Sequence, residues 1–296
     1  MFDGLVVAMV TPFRKGALDL DGTGRLVDFM VDGGVEGLVV SGSTGEAATC
    51  TVEERRTLWS FVKQRVKGRV PLIAGTGTNN TAESITLTKM AEELGLDGAM
   101  LVTPFYNKPT PKGQIAHFTA VASATTLPIV LYNIPGRTGT NTLPETFEKL
   151  QGVSNLVAIK EASGSLDQAS ALRARTRFTV LSGDDSLAVP MIAVGATGVI
   201  SVAGNVAPRE MRALCDHARA GRNQQAEASH RMLQPLFKAL FLESNPGPVK
   251  ALLAAMGLIE NELRLPLVPV EPATEQTVRN AAADCGIALA EGVRSR

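Results

Sequence analysis

The 296-residue chain carries no excess of charge: Lys+Arg and Asp+Glu both number 29. It has no long basic run, and its aromatics are Trp59, Tyr106, Tyr132 and ten Phe. A surface that holds a phosphate backbone needs clustered Lys and Arg with aromatic platforms among them, so nucleic-acid binding finds no support. Cysteine is scarce too. Cys50, Cys215 and Cys285 are far apart and odd in number, which suits neither a disulfide framework nor a metal cluster. His117, His217 and His230 all fall in stretches of helical pattern, away from strand ends, so the converging imidazoles of a zinc site are not expected, nor is any metal. No apolar segment approaches the length that spans a bilayer. The opening MFDGLVVAMVTPFRKG has no basic stretch ahead of its apolar run, so no signal peptide is expected and the cytoplasm is the expected location.

What the chain does have is a series of short apolar runs, each closed by small or polar residues. They are LVVAMVTP from Leu5, GLVVSGSTGE from Gly37, PLIAGTG from Pro71, GAMLVTPFY from Gly98, PIVLYN from Pro128, NLVAIKE from Asn155, FTVLSGDD from Phe178 and GVISVAG from Gly198. Continuous Val, Ile and Leu bounded by turn signals is the pattern of parallel strands buried on both faces. Helical patterns lie between the runs. Thr51 and Glu54 form a capping-box pair, with Leu58, Phe61 and Val62 on one face and Gly68 near the stop. Asn80-Thr81 opens another helix that runs to about Gly95. Eight strand-helix units that close on themselves make an α/β fold of the (β/α)8 TIM-barrel kind, expected over 1–222; an open doubly wound sheet is not excluded by periodicity alone. Beyond about residue 222 the strand pattern stops. Three helical stretches follow, with Pro248 suited to a first turn, and predict a C-terminal helical appendage over 223–296.

In a barrel of this kind the active site gathers at the C-terminal ends of the strands. The sixth run closes on Lys160. A lysine at a dry strand end loses the stabilisation of its charged form, and the neutral amine can attack a carbonyl to form a Schiff base. The alternative is a lysine paired with Glu161 or Asp184, although strand alternation sends Glu161 to the opposite side. The only two tyrosines, Tyr132 and Tyr106, both fall at predicted strand ends, and a phenol can shuttle protons during imine formation if its own hydroxyl is relayed onward, for instance by Ser43. Gly42-Ser43-Thr44-Gly45-Glu46 reads either as a nest of inward N–H groups for a carboxylate or as an ordinary strand-helix turn. Arg137 in PGRTG can hold a carboxylate bidentately, or simply sit in a surface turn. GTGTNN lacks the full dinucleotide fingerprint. Asp184-Asp185 reads more readily as helix capping than as a magnesium site.

Across nearly the whole chain, GSTGE, TPFYNKP, YNIPGRTG, IKEASG, SGDD, GVISV, NPGPVK and LRLPLVPV appear in an order and spacing that resembles one family. It is the dihydrodipicolinate synthase group of the N-acetylneuraminate lyase, or pyruvate-dependent class I aldolase, family. YNIPGRTG points to that group rather than to its siblings. The resemblance implies that Lys160 forms a Schiff base with pyruvate and that Tyr132 shuttles the proton. Ser43 and Tyr106 would complete the relay, with Tyr106 reaching in from a neighbouring subunit. The backbone around Ser43 and Thr44 would hold pyruvate's carboxylate, Arg137 that of L-aspartate 4-semialdehyde, and Gly183 and Ile200 would line the site. It also implies a cofactor-free lyase of lysine and diaminopimelate biosynthesis, assembled as a homotetramer of tight dimers. Most members carry threonine where this chain has Ser43, which keeps the hydroxyl but loses the methyl that fixes its rotamer.

Asn79 and Glu83 match positions that bind the effector lysine in sensitive members. Val52, Arg55 and Phe105 stand where some of those members have two histidines and a tyrosine, so weak or absent inhibition is expected. Two other readings stay open: a sibling pyruvate aldolase acting on another aldehyde, and a non-catalytic barrel that senses pyruvate or lysine.

Overall fold

A computed structural model describes residues 2–290. The predicted strands all form: β1 Gly4–Ala8, β4 Gly37–Val40, β5 Leu72–Gly75, β6 Gly98–Val102, β7 Ile129–Asn133, β8 Leu156–Glu161, β9 Thr179–Ser182 and β10 Gly198–Ser201. All pair in parallel, and β1 hydrogen-bonds to both β4 and β10, which closes the barrel. The open sheet is thereby excluded. Along each strand alternate residues face opposite sides. Val6, Val39, Ile73, Met100, Val130, Ala158, Leu181 and Ile200 fill the interior. Leu5, Leu38, Leu72, Leu101, Ile129, Ile159, Val180 and Val199 face outward into the core beneath the helices. Burial on both faces is why these strands read as unbroken apolar runs.

One element is not visible in those runs. Phe13–Arg14 (β2) and Ala17–Leu18 (β3) form a small antiparallel hairpin. Its two-residue turn, Lys15-Gly16, has both φ angles positive, as the twist of a tight hairpin demands.

The surrounding helices begin and end where local chemistry dictates. In α2 (Val52–Val66) the capping box between Thr51 and Glu54 is complete. In α3 (Thr81–Glu93) the Asn80 side chain accepts from the Ala82 and Glu83 amides. After β7 the connection is cut into two short helices, Pro135–Thr138 and Pro144–Glu148, each opened by proline; Gly139 ends the first with a φ of 69°. This holds Arg137 one turn beyond the strand end.

The C-terminal appendage consists of α10 (Asn223–Ala239), α11 (Gly247–Ala255) and α12 (Pro272–Asp284). Pro248 lies in the first turn of α11, as predicted. The last helix stops at Asp284, with Gly286 at a φ of 73° just beyond it. Residues 291–296 of the predicted helical region lie outside the described residues.

Candidate active site

Lys160 is the next-to-last residue of β8, in register with Tyr132 on β7 and Leu181 on β9. Its side chain points into the barrel, and Nζ lies 4.1 Å from the centroid of the Tyr132 ring. Lys160 is buried and forms no ion pair among the described residues. Burial lowers its pKa from 10.5 to about 8; the pull of Asp185 opposes this, and the guanidinium of Arg137 adds to it. Burial also pushes the Tyr132 phenol well above its ordinary range, so it keeps its proton at neutral pH.

The neighbour Glu161 faces the other way, as alternation predicts. Its carboxylate is buried outside the barrel and accepts from Asn133 Nδ2, Gln168 Nε2 and the Ser163 amide. Its charge is satisfied there, so it is no partner for Lys160. Gly183 follows β9 and packs on the lysine. A Cβ there would stand 3.1 Å from Lys160 Cε and 2.6 Å from Ala162 Cβ. Gly183→Ala is therefore expected to displace the amine and slow imine formation by roughly 10- to 100-fold with the fold retained; single-turnover trapping of a carbonyl substrate reads the loss.

The Gly42–Glu46 loop is a turn in which two amides are left without an acceptor among the described residues. Ser41 and Glu46 bracket it with φ of 52° and 50°. Within it, the Gly45 amide donates to Gly42 O and that of Glu46 to Ser43 O. The Ser43 and Thr44 amides donate to no protein acceptor among the described residues. The loop is tied down from outside. Trp59 Nε1 donates to Ser41 Oγ at 2.9 Å. The Lys250 ammonium on α11 pairs with the Glu46 carboxylate, both fully buried, and also donates to Glu262 O at 2.6 Å. The Arg264 amide donates to the other Glu46 oxygen.

A cavity of about 530 Å³ opens above these elements. Tyr132, Ser43, Arg137, Asn79 and Glu83 line it, together with Asn245, Pro266 and Leu267 of the C-terminal segment. Lys160, Thr44, Gly183 and Ile200 do not line it themselves; Lys160 meets it through the Tyr132 ring and Thr44 through Asn245. Asn245 Nδ2 donates to Thr44 Oγ1 at 2.9 Å, and Arg137 Nη2 donates to Asn245 O at 3.1 Å. Tyr106 is not brought to this cavity: it lies four residues past β6 with a φ of 70° and is 87% exposed.

Helix capping proves the wrong reading for Asp184-Asp185. Neither carboxylate caps its helix turn. Asp185 Oδ2 instead accepts from the Val202 and Ala203 amides and ties the end of β9 to that of β10. Sequence reasoning also missed Asn245 and Lys250 as individual residues, although both lie in the NPGPVK stretch.

Residues 1–284 match the model of the Dihydrodipicolinate synthetase family. The chain is 46% identical over 293 residues to a 4-hydroxy-tetrahydrodipicolinate synthase of Thermotoga neapolitana, a match covering 97% of this chain and 100% of that one. The crystal structure of a dihydrodipicolinate synthase from Thermotoga maritima superposes with a TM-score of 0.95 at 45% identity, covering 97% of this chain and 99% of that chain. A chloride-inhibited dihydrodipicolinate synthase from Acinetobacter baumannii, solved with pyruvate, is 42% identical with a TM-score of 0.95, covering 97% of this chain and 100% of that chain.

Proposed function

Since the chain belongs to the dihydrodipicolinate synthetase family, we propose that it condenses pyruvate with L-aspartate 4-semialdehyde to give 4-hydroxy-tetrahydrodipicolinate, with Lys160 as the nucleophile. The carrying observation is a buried lysine, without an ion pair among the described residues, stacked on a tyrosine at a barrel strand end. At a pKa of about 8 rather than 10.5, the fraction of free amine at neutral pH is larger by about 300-fold.

The Ser43 and Thr44 amides receive pyruvate's carboxylate, which points its ketone carbon at Lys160 Nζ. The amine adds to that carbon, and Tyr132 gives its proton to the departing oxygen, so water leaves and a protonated imine remains. The Tyr132 phenolate left by that step takes a proton from the methyl group to give an enamine, whose carbon attacks the aldehyde of the second substrate while Tyr132 returns the proton to the aldehyde oxygen. Arg137 has N–H donors left over for that substrate's carboxylate. The substrate's own amine then adds to the imine carbon and expels Lys160, which closes the ring. Ser43 and Tyr132 face the same cavity without a direct hydrogen bond between their hydroxyls. In this reading the relay through Ser43 is completed by Tyr106 of a neighbouring copy in a homotetramer, and light scattering reads that assembly. Among the described residues no helix is long and apolar enough to cross a membrane, and we place the enzyme in the cytoplasm.

The test is turnover of pyruvate with the semialdehyde, followed through NADPH consumption by added dihydrodipicolinate reductase. No turnover from folded protein rejects this acceptor. Borohydride trapping with pyruvate then tells a sibling aldolase from a barrel without the chemistry. The pH profile is a second check. Attack needs neutral Lys160, so kcat/KM for pyruvate is expected to fall about tenfold per unit as pH drops below about 8, and to level off above it. Initial rates that stay flat from pH 6 to 9, a range that brackets that pKa by about one to two units, would contradict the role of Lys160.

Lysine is expected to inhibit weakly or not at all. Arg55 stands on the same cavity wall as Asn79 and Glu83. Its guanidinium is buried and places positive charge where a cationic effector would lie. Half-inhibition well below millimolar lysine would overturn this.

A further inference from the structure

We infer that Asn245 is a positioning residue that aims the Thr44 hydroxyl proton at the carboxylate of the first substrate. This rests on the reading of Thr44 and its loop as the pyruvate cradle. Asn245 lies at the entrance to α11, 201 positions from Thr44, and is 5% exposed. A hydroxyl has one proton to give and two lone pairs to receive. Asn245 Nδ2 donates into one lone pair of Thr44 Oγ1 at 2.9 Å. Thr44 Oγ1 has no other protein partner among the described residues, so its proton is left to point away from Asn245. The loop amides beside it are free in the same way. The side chain of Asn245 therefore turns an ambivalent group into a donor beside the free N–H groups of the loop.

A second observation supports a functional role. The Asn245 Oδ1 atom is buried with no donor among the described residues. A residue kept only for packing is expected to avoid that cost. The Asn245 main-chain carbonyl separately holds Arg137 at 3.1 Å, and a side-chain change leaves that contact in place. The two substrates are thus separable in a variant.

Asn245→Asp reverses the polarity of the contact at nearly constant shape: the carboxylate accepts from Thr44 and turns its proton away from the cradle. Asn245→Ala only frees the hydroxyl. The measurement is KM for pyruvate, KM for the semialdehyde, and the pyruvate concentration that half-saturates borohydride trapping, all in the full-length protein. Asn245→Asp is expected to raise both pyruvate values by about tenfold or more while KM for the semialdehyde moves less than about threefold. Asn245→Ala is expected to do less, although it removes more volume. Added to Thr44→Val, either change is expected to alter KM for pyruvate by less than about twofold. Alanine acting more strongly than aspartate, both KM values rising together, or effects that multiply with Thr44→Val would each overturn the proposal. Should Asn245→Asp fail to fold, the Asn245→Ala and Thr44→Val cycle decides alone. Wild-type protein that traps no pyruvate would bring down the functional reading itself, before any variant is compared.

Discussion

Lys160→Met is expected to lose at least about 1000-fold in turnover and to become more stable in the same step. The first half follows from removal of the nucleophile. The second follows from the electrostatics of the wild-type side chain. The folded-state pKa of Lys160 is about 8, against 10.5 for an ordinary lysine. The fold therefore disfavours the ammonium by about 3 kcal/mol at neutral pH. For a lysine whose pKa is lowered on folding, that cost is fully present below pH 8, shrinks as pH rises toward 10.5, and is gone above it. Methionine keeps the straight apolar stem and sets sulfur near the Tyr132 ring, so little packing is lost. Urea midpoints should show Lys160→Met ahead of wild type by about 2–3 kcal/mol at pH 7 and level with it near pH 11. Borohydride should no longer attach pyruvate. A variant less stable than wild type at pH 7 would show that the charged form is not disfavoured here.

Lys250→Met is expected to move stability the opposite way, by about 3–5 kcal/mol. Lys250 is also buried and also lies in an apolar run, and burial pulls its ammonium below the ordinary lysine range even against the attraction of Glu46. The difference is the partner. Removing the ammonium leaves the Glu46 carboxylate at 0% side-chain exposure with only the Arg264 amide on its other oxygen. It also leaves Glu262 O without its donor. Adding Glu46→Gln removes the uncompensated charge, so the double variant should recover a large part of the loss in the same denaturation assay. Activity should fall in Lys250→Met, because Glu46 closes the loop that carries Ser43 and Thr44. Losses that simply add in the double variant would argue against a coupled pair.

These two lysines mark how far the sequence could be read. The eight strands were legible because burial on both faces removes polar residues from each run. The direction of Glu161 was legible because strand alternation is strictly local. Lys160 and Lys250 carry the same local signal, a lysine set among apolar residues. Only the fold reveals that one meets a tyrosine ring and the other a carboxylate 204 positions away. Asn245 and the true role of Asp185 were hidden for the same reason: their partners are amides and hydroxyls brought close by tertiary structure. Tyr106 shows the converse limit. It follows an apolar run in the sequence, yet the strand ends at Val102 and the ring is left in solvent.

The clamp that α11 places on the Gly42–Glu46 loop sets an order of events at the ribosome. Barrel closure joins β1 to β10, so it waits until residue 201 has been made. The Gly42–Glu46 loop waits longer, for Asn245, Lys250 and Arg264. A nascent chain that has finished its barrel already holds Lys160 against Tyr132, but its substrate cradle is still unanchored. Reactivity is assembled before selectivity, and a stretch translated after the barrel is the one that makes the amine useful.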